Sequence, residues 1–272
     1  MAKDDAKEKD GRLTFGGMAR WDGLDLYGPN FMSVAYRRNG EIHVKVEPST
    51  LRQPTNPALQ RAARLPIIRS FFLWGRVFAQ LFGSPWSLLI FVATLVILWL
   101  FVRVMQLGSD VGALGGVFAF FAAFPILPVL LLFFAGMKFT PIGRYHGAEH
   151  KAVAAYEKYG EVTLQNAKGV SRVHPRCGTN ILVYIILAAI LDPLITWWGY
   201  AILQFILISE AWFIFGQTRP SIAVGNFLQR YFTTTEPRRA QLEVAVEGIN
   251  RLLLAEEEHE DGLAPARVPA RY

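Results

Sequence analysis

Two long runs without a charged residue constrain this chain more than any other feature of its sequence. The first covers residues 86–102, and the second covers residues 111–137 and contains Pro125 and Pro128. Because a helix needs about 20 apolar residues to cross the hydrocarbon core of a bilayer, these runs predict a pair of transmembrane helices. A third apolar region at 181–216 predicts a second hairpin, for which a re-entrant arrangement is the alternative.

Composition favours the same class, because 52% of the 272 residues are hydrophobic, more than a soluble domain of this size usually needs for its core. The predicted fold class is an α-helical integral membrane protein with about four transmembrane helices. We expect a small cytoplasmic α+β part beside them, including an N-terminal β-hairpin. That hairpin is predicted from Asn39-Gly40, which favours a type I′ turn between strands at 31–38 and 41–47.

Basic residues predict the orientation of the chain in the membrane. They lie before residue 85, between 138 and 180, or after 216, with Arg103 as the one exception. By the positive-inside rule these regions and both termini are cytoplasmic. We therefore expect a multi-pass protein of the cytoplasmic (inner) membrane, with the lipid bilayer as its partner. The net charge of +6 is spread along the chain rather than gathered in one patch, so we expect no nucleic-acid partner.

Changes in composition along the chain predict its segments. In chain order they are a disordered arm at 1–13, a cytoplasmic β-rich segment at 14–57, an amphipathic interfacial helix at 58–84, the first transmembrane pair at 85–137, a cytoplasmic loop at 138–180, the second transmembrane hairpin at 181–216, a cytoplasmic helical segment at 217–255 and a disordered tail at 256–272. For the amphipathic helix, packing on the helical bundle is the alternative to a place at the membrane interface.

The strongest sign of chemistry is the sequence HGAEH at residues 146–150. It opens a segment with helical propensity that ends at Gly160, so we expect His146 and His150 on one face of a helix. Two imidazoles at this spacing can bind one metal ion, and Glu149 can act as a general base, a ligand or a hydrogen-bond partner of a ligand. Two surface histidines without a metal are the alternative.

A second group of ligand residues, HPRCGT at 174–179, precedes the third apolar region and therefore meets the same membrane face. His174 and Cys177 complete a predicted zinc-like site with His146 and His150. If all four bind, the site is closed and structural. If three bind and water holds the last position, the site is catalytic. The sequence leaves both arrangements open.

Three further charged residues are candidates for the site. Glu210 lies inside the third apolar region, where an ionisable side chain needs a partner, so it is a second catalytic candidate near the metal cluster. The expected partner is the metal, Arg144 or Arg176, and the alternative is a structural ion pair or a protonated carboxylic acid. Lys151 and Arg176 are candidates for contact with an anionic substrate or a lipid phosphate.

Several parts of the sequence form a set, namely YHGAEHK at 145–151, HPRCGT at 174–179, TTTEP at 233–237 and the glycine-rich start at 16–29. This set resembles the YqhQ-like family of bacterial membrane proteins of unknown function. The resemblance covers most of residues 14–254, although Asp22 stands where the family usually has glutamate and Tyr27 where it usually has arginine. Family members are described as predicted metal-dependent enzymes, so the resemblance implies a metal site and gives no substrate.

Three functions are compatible with these features. The first is a membrane-embedded hydrolase at the cytoplasmic face, with a divalent metal, zinc above others, held by His146, His150 and one or both of the loop ligands. Its expected substrate is a membrane-associated peptide or a lipid-linked molecule. The second is a non-enzymatic scaffold or partner protein with a structural metal site. The third is a transporter or channel subunit that uses Glu210 and Asp192, and oligomerisation is open.

Overall fold

The computed structural model describes residues 7–8, 12–49, 56–82, 85–108, 112–124, 126–191 and 200–262. The chain divides into two compact units, each built from separate stretches of sequence. Unit 1 contains Met1–Pro54, Phe134–Cys177 and Asn226–Tyr272, and unit 2 contains Thr55–Phe133 and Gly178–Gly225.

The strands all belong to unit 1. They are β1 (Lys7–Glu8), β2 (Arg12–Leu13), β3 (Gly16–Ala19), β4 (Gly23–Tyr27), β5 (Phe31–Arg38) and β6 (Glu41–Pro48). The first two form a short antiparallel pair, and the other four form an antiparallel sheet in sequence order. The predicted hairpin is confirmed, because β5 pairs with β6 and the turn residues Asn39 and Gly40 have φ angles of 52° and 86°. Asparagine and glycine tolerate this left-handed region better than other residues.

Three helices accompany the sheet in unit 1, namely α6 (Pro141–Tyr159), α7 (Leu164–Lys168) and α11 (Arg239–Glu260). Helix α6 begins at Pro141, before the predicted start at residue 146, because the Thr140 side chain caps its first turn. It ends at Gly160, as predicted, in a left-handed conformation with φ 78°. The core of unit 1 lies where α6 and α11 pack on β4 and β5.

The disordered tail was predicted to start at residue 256, but this start is wrong because α11 extends beyond it. The helix continues to Glu260, and the Glu256 side chain is buried. Its carboxylate accepts hydrogen bonds from the backbone N–H groups of Asn30 and Phe31, at 2.9 and 2.8 Å. The acidic composition suggested solvent exposure, whereas the turn before β5 supplies the donors that this buried carboxylate needs. Residues 263–272 of the predicted tail lie outside the described residues.

Within the part of unit 2 that the structure describes, helices are joined by turns and no strand is present. Its helices are α1 (Pro57–Ala62), α2 (Ile68–Phe82), α3 (Pro85–Gly108), α4 (Gly115–Ala123), the first part of α5 (Ile126–Phe139), α8 (Leu182–Leu191), α9 (Tyr200–Phe215) and most of α10 (Arg219–Leu228). The single helix predicted at 58–84 is two helices, because the chain turns at Ile67, whose φ is 67°. Its place at a membrane interface stays a prediction.

The predicted fold class is wrong in its four membrane spans. Within the described ranges, no individual helix combines the length and the apolar character needed to cross a bilayer. Among the described helices, α4 and α5 satisfy both conditions as a pair, and they are bent by 83° at their junction. The apolar stretches Val92–Gly108, Gly178–Leu191 and Leu203–Phe215 are shorter. An uncharged run measures composition, whereas a span also requires an unbroken helix, and residues 111–137 contain a break at Phe124.

Candidate metal centre

Unit 1 brings together His146 and His150 from α6 and Cys177 from the loop that follows α7. One ligand atom from each residue lies within 4.8 Å of those from the other two. His146 Nε2 lies 3.3 Å from Cys177 Sγ. All three side chains are buried, with exposed fractions of 6%, 3% and 7%. Two imidazoles and a thiol in one buried group form a candidate metal site.

Backbone carbonyl groups orient both imidazole rings. His146 Nδ1 lies 2.8 Å from the carbonyl oxygen of Thr233, and His150 Nδ1 lies 2.7 Å from that of Arg172. Because a carbonyl oxygen can only accept, each Nδ1 carries the hydrogen, and each Nε2 keeps a lone pair for a ligand bond. Histidines that bind metals usually donate their other ring N–H in this manner.

Burial also favours the protonation state that metal binding requires. Burial lowers the pKa of His146 below its usual value, and the hydrogen bond to Thr233 opposes this effect. For His150, burial and then the neighbouring His146 lower the pKa well below the usual value. Both imidazoles are therefore neutral at pH 7, which is the form that binds a metal ion.

The donor set fits a tetrahedral metal such as zinc. With usual zinc–nitrogen and zinc–sulfur bond lengths, two such ligands are about 3.6 Å apart. The 3.3 Å between His146 Nε2 and Cys177 Sγ lies close to this value. Three protein ligands leave one of four positions for water or a substrate, which is the pattern of catalytic rather than structural zinc sites.

His174, the fourth predicted ligand, lies beside this group. Its ring centroid is 5.7 Å from that of His150. Its Nε2 is 3.0 Å from Glu157 Oε2, and its Nδ1 accepts a hydrogen bond from the Arg176 backbone N–H at 3.3 Å. Both ring nitrogens therefore contact protein groups in this arrangement.

Gln229 holds the loop that supplies Cys177, and the sequence analysis missed it. It belongs to one π-helical turn, Gln229–Thr233, which also provides the carbonyl that orients His146. Its fully buried amide accepts from the His174 backbone N–H at 2.8 Å and donates to the His174 carbonyl at 2.9 Å. Single π-helical turns are frequent at functional sites. The one sequence signal was its place just before the TTTEP segment.

The TTTEP segment, residues 233–237, packs against the glycines of α6. The backbone N–H of Thr235 donates to the Gly143 carbonyl at 2.8 Å. A Cβ atom added to Gly147 would lie 2.4 Å from the Thr235 carbonyl oxygen. Only glycine leaves room for this approach, so the glycines of the helix and this segment form one structural unit.

Glu149 points toward strand β3. A Cβ atom added to Gly17 would lie 2.5 Å from Glu149 Cδ, so the glycine-rich start makes room for this carboxyl group. Glu149 is buried, and within the described ranges its Oε2 has no hydrogen-bond partner. Burial raises its pKa to about 8. The three-residue ligand group does not include it.

Lys151 and Arg176, the predicted anion contacts, are both paired with carboxylates in unit 1. Lys151 Nζ lies 2.7 Å from Glu236 Oε1 and donates to the Lys168 carbonyl at 3.2 Å. Arg176 pairs with the Glu157 carboxylate. These pairs partly neutralise the charge that an anionic substrate would need, so contact of either residue with an anion stays a prediction.

Glu210 belongs to unit 2, and its partner is Arg69 rather than a metal, Arg144 or Arg176. Its Oε2 lies 2.6 Å from an Arg69 terminal nitrogen and 3.0 Å from Arg69 Nε. Its Oε1 accepts from Ser70 Oγ at 2.6 Å and from the Ile67 backbone N–H at 3.0 Å. Glu210 therefore forms a structural ion pair, which was one of the alternatives predicted for it. Asp192, its partner in the transporter hypothesis, lies outside the described residues.

Two comparisons with known proteins bear on the family resemblance. Residues 77–209 match the profile of a family described as "Protein of unknown function (DUF1385)". The "Uncharacterized protein YqhQ" of Bacillus subtilis (strain 168) is 31% identical over 164 residues, which cover 52% of this chain and 50% of that protein. These findings support the resemblance to the YqhQ-like family. The chain thus spans about half the length of this relative, and no solved structure matches.

Proposed function

We propose that this protein binds one divalent metal ion, preferably zinc, through His146, His150 and Cys177, and that it is a metal-dependent hydrolase. The observation that carries the proposal is the orientation of the two buried imidazoles. Each donates Nδ1–H to a backbone carbonyl and keeps Nε2 for a ligand bond. Three ligands with one position left over favour a catalytic metal.

The residues of the chain have separate tasks in this proposal. A bound divalent metal supplies Lewis acidity, which polarises a substrate oxygen and acidifies water. His146 and His150 bind from a rigid helix, while Gln229 holds the loop that carries Cys177. Glu149 has no assigned proton transfer, because its carboxyl group lies against Gly17.

A specific observation favours a second candidate function, the scaffold with a structural metal. The three ligands are at most 7% exposed, so a substrate needs the loop to move before it can reach the site. In that case the metal would fix the Cys177 loop to α6 and stabilise unit 1 without turnover.

We further propose that lipid contacts unit 2. Large apolar side chains are exposed on α3 and α5, including Ile97, Leu107 and Leu132, at 66%, 78% and 74%. Extensive exposed apolar surface indicates an interaction partner, and hydrocarbon chains match it. The proposed substrate is therefore a membrane-associated peptide or a lipid-linked molecule. If washed membranes do not retain the protein and detergent does not change its solubility, this part of the proposal is wrong.

Metal analysis of the purified full chain tests the site itself. We expect about one zinc per chain in the wild type, and loss of the metal in the His146→Ala/His150→Ala and Cys177→Ser variants. The variant His43→Ala is the matched control, because His43 stacks on Tyr36 of the sheet and should leave metal content unchanged. Folded wild-type protein without metal, prepared without chelator, would contradict the proposal.

Cobalt(II) substitution separates the two functions. A catalytic site should bind added thiocyanate at its open position and change the cobalt absorption spectrum, whereas a closed structural site should not. The sulfur-to-cobalt charge-transfer band should be absent from Cys177→Ser in either case. A spectrum that ignores thiocyanate would favour the scaffold, and a responsive spectrum would justify hydrolase assays.

A further inference from the structure

His174 lies next to the metal ligands but is turned away from them. Its ring is 5.7 Å from the His150 ring, and the rings of His146 and His150 are 4.4 Å apart. Together with His146, His150 and Cys177, an imidazole next to His150 would complete a closed four-ligand site if its Nε2 were free and turned toward them. What occupies that nitrogen therefore decides which kind of site the protein has.

Glu157 occupies it. The Glu157 carboxylate is 3.0 Å from His174 Nε2 through Oε2, and its Oε1 pairs with Arg176 in the same loop. Glu157 lies on α6, the same helix as His146 and His150, so one rigid element carries two metal ligands and the group that binds His174. The loop residue cannot approach the metal ligands with Nε2 while this bond holds.

The backbone of His174 is fixed independently of its side chain. Gln229 pairs with both the N–H and the carbonyl of His174 through a buried amide. Loss of the Glu157 carboxylate would therefore free His174 Nε2 while Gln229 still holds the backbone, and the ring would keep the hydrogen bond from the Arg176 backbone N–H to Nδ1. Rotation of the side chain is then the main movement available to His174.

We propose that Glu157 is a positioning residue that holds His174 away from the bound metal and so keeps one coordination position open for a substrate. This inference rests on the proposed three-ligand metal site. In the absence of the carboxylate, the His174 ring can rotate away from the Arg176 backbone N–H, its proton can exchange with solvent from Nε2 to Nδ1, and the Nε2 lone pair should become the fourth ligand. The site would then change from an open, catalytic type to a closed, structural type.

The test uses the full chain loaded with cobalt(II) and titrated with thiocyanate. In the wild type the spectrum should respond to the anion. In Glu157→Ala it should lose this response, and the cobalt Kd should fall by about tenfold or more because a ligand is gained. Glu157→Gln should behave like the wild type, because an amide oxygen still accepts from His174 Nε2–H.

Two further variants control for indirect effects. The double variant Glu157→Ala/His174→Ala should recover the anion response, since the fourth ligand is removed. Glu243→Ala removes another ion-paired glutamate of unit 1, which contacts Arg37 and Arg239, and should leave spectrum and Kd unchanged. Neither variant alters the three proposed metal ligands. The cobalt spectrum and the cobalt Kd are both measured without a substrate, so they do not depend on turnover.

The outcomes separate this inference from the proposed function. No cobalt binding by the folded wild type would overturn the metal site and the inference together. A wild-type spectrum that ignores thiocyanate and changes in His174→Ala would mean that His174 is already a ligand, which overturns the inference and favours the scaffold but leaves the metal site itself standing. An anion response that survives in Glu157→Ala, with unchanged Kd, would also overturn it.

Discussion

The two units of the protein each enclose a group of polar side chains, and they satisfy these groups by different means. In unit 1, His146 and His150 are neutral, and backbone carbonyls bind one nitrogen of each ring. In unit 2, Arg69 and Glu210 are opposite charges that saturate each other with Ser70 and Ile67. Only the first arrangement leaves Nε2 lone pairs that a metal ion can bind. A buried polar group can therefore bind a metal only if some of its lone pairs remain available. The presence of ionisable residues is not enough.

The largest expected effect concerns Glu149, a buried carboxyl group of unit 1 whose Oε2 has no hydrogen-bond partner within the described ranges. Burial raises its pKa from 4.5 to about 8 in the folded chain, so the folded state holds its proton more tightly than the unfolded state. Stability from this group is intact below pH 4.5 and is lost as the pH rises toward 8. Glu149→Gln cannot ionise and should avoid this loss, which is about 3 kcal/mol at pH 7.

Urea unfolding of metal-free protein between pH 5 and pH 8 measures this effect. The advantage of Glu149→Gln over the wild type should grow with pH. An equal difference at both pH values would show that the carboxyl group is not desolvated, and the contrast between the units would weaken. Metal content of Glu149→Gln should match the wild type, because Glu149 lies outside the ligand group.

The second effect concerns the saturated pair of unit 2. Glu210→Ala leaves the Arg69 guanidinium, the Ser70 hydroxyl and the Ile67 N–H without their acceptor. Breaking a fully buried pair costs about 3–5 kcal/mol, and the partial exposure of Arg69 and Glu210 reduces this to about 2 kcal/mol of unfolding free energy. Chemical denaturation measures the change, and metal content should remain at the wild-type value.

The control for that prediction is an exposed ion pair. Glu247→Ala breaks the pair between Glu247 and Arg251 on one face of α11 and should change stability by less than about 0.5 kcal/mol. If Glu210→Ala has an equally small effect, the two polar groups differ less than their geometry indicates. If Glu210→Ala removes bound metal, the assignment of Glu210 to a polar group distinct from the metal site is wrong.

The third effect concerns the contact between Gly17 and Glu149. Gly17→Ala places a methyl group 2.5 Å from Glu149 Cδ, and the carboxyl group, at the end of a flexible side chain, must move within a buried space. We expect a loss of about 1.5 kcal/mol in unfolding free energy. Gly16→Ala is the matched control, since nothing lies within 4 Å of its added Cβ atom. Combining Gly17→Ala with Glu149→Ala should reduce the loss, as thermodynamic coupling requires.

The smallest effect concerns the end of α6, the helix that carries His146 and His150. Gly160 has φ 78°, so Gly160→Ala should cost about 1 kcal/mol. Gly169, after α7, has φ −78°, which alanine adopts freely, so Gly169→Ala should change stability by less than about 0.5 kcal/mol. Thermal unfolding of both variants distinguishes them. Equal effects would indicate that the last turn of α6 can accommodate alanine without a measurable loss of stability.

Local patterns predicted the parts of unit 1 that depend on neighbouring residues. Asn39-Gly40 predicted the hairpin, Gly160 predicted the end of α6, and the spacing of His146 and His150 placed both rings on one face. Each of these inferences uses conformational preferences that operate within a few residues.

Distant contacts decided what the local patterns could not. The number of membrane spans was overestimated because uncharged runs do not reveal where a helix breaks, as at Phe124. Glu210 was assigned to the metal group because its partner, Arg69, lies far away in the chain. Gln229 went unnoticed because a buried glutamine becomes informative only when both of its hydrogen-bond partners are known.

By itself, the sequence determined which residues can bind a metal ion, because ligand chemistry belongs to side-chain type and helical spacing. Only the tertiary structure decided which of them share a site and in which state. Glu157 turns His174 aside, Gly17 receives Glu149, and two carbonyls orient the imidazoles. Those choices depend on hydrogen bonds between segments far apart in the chain, and such bonds form only once packing has excluded water from them.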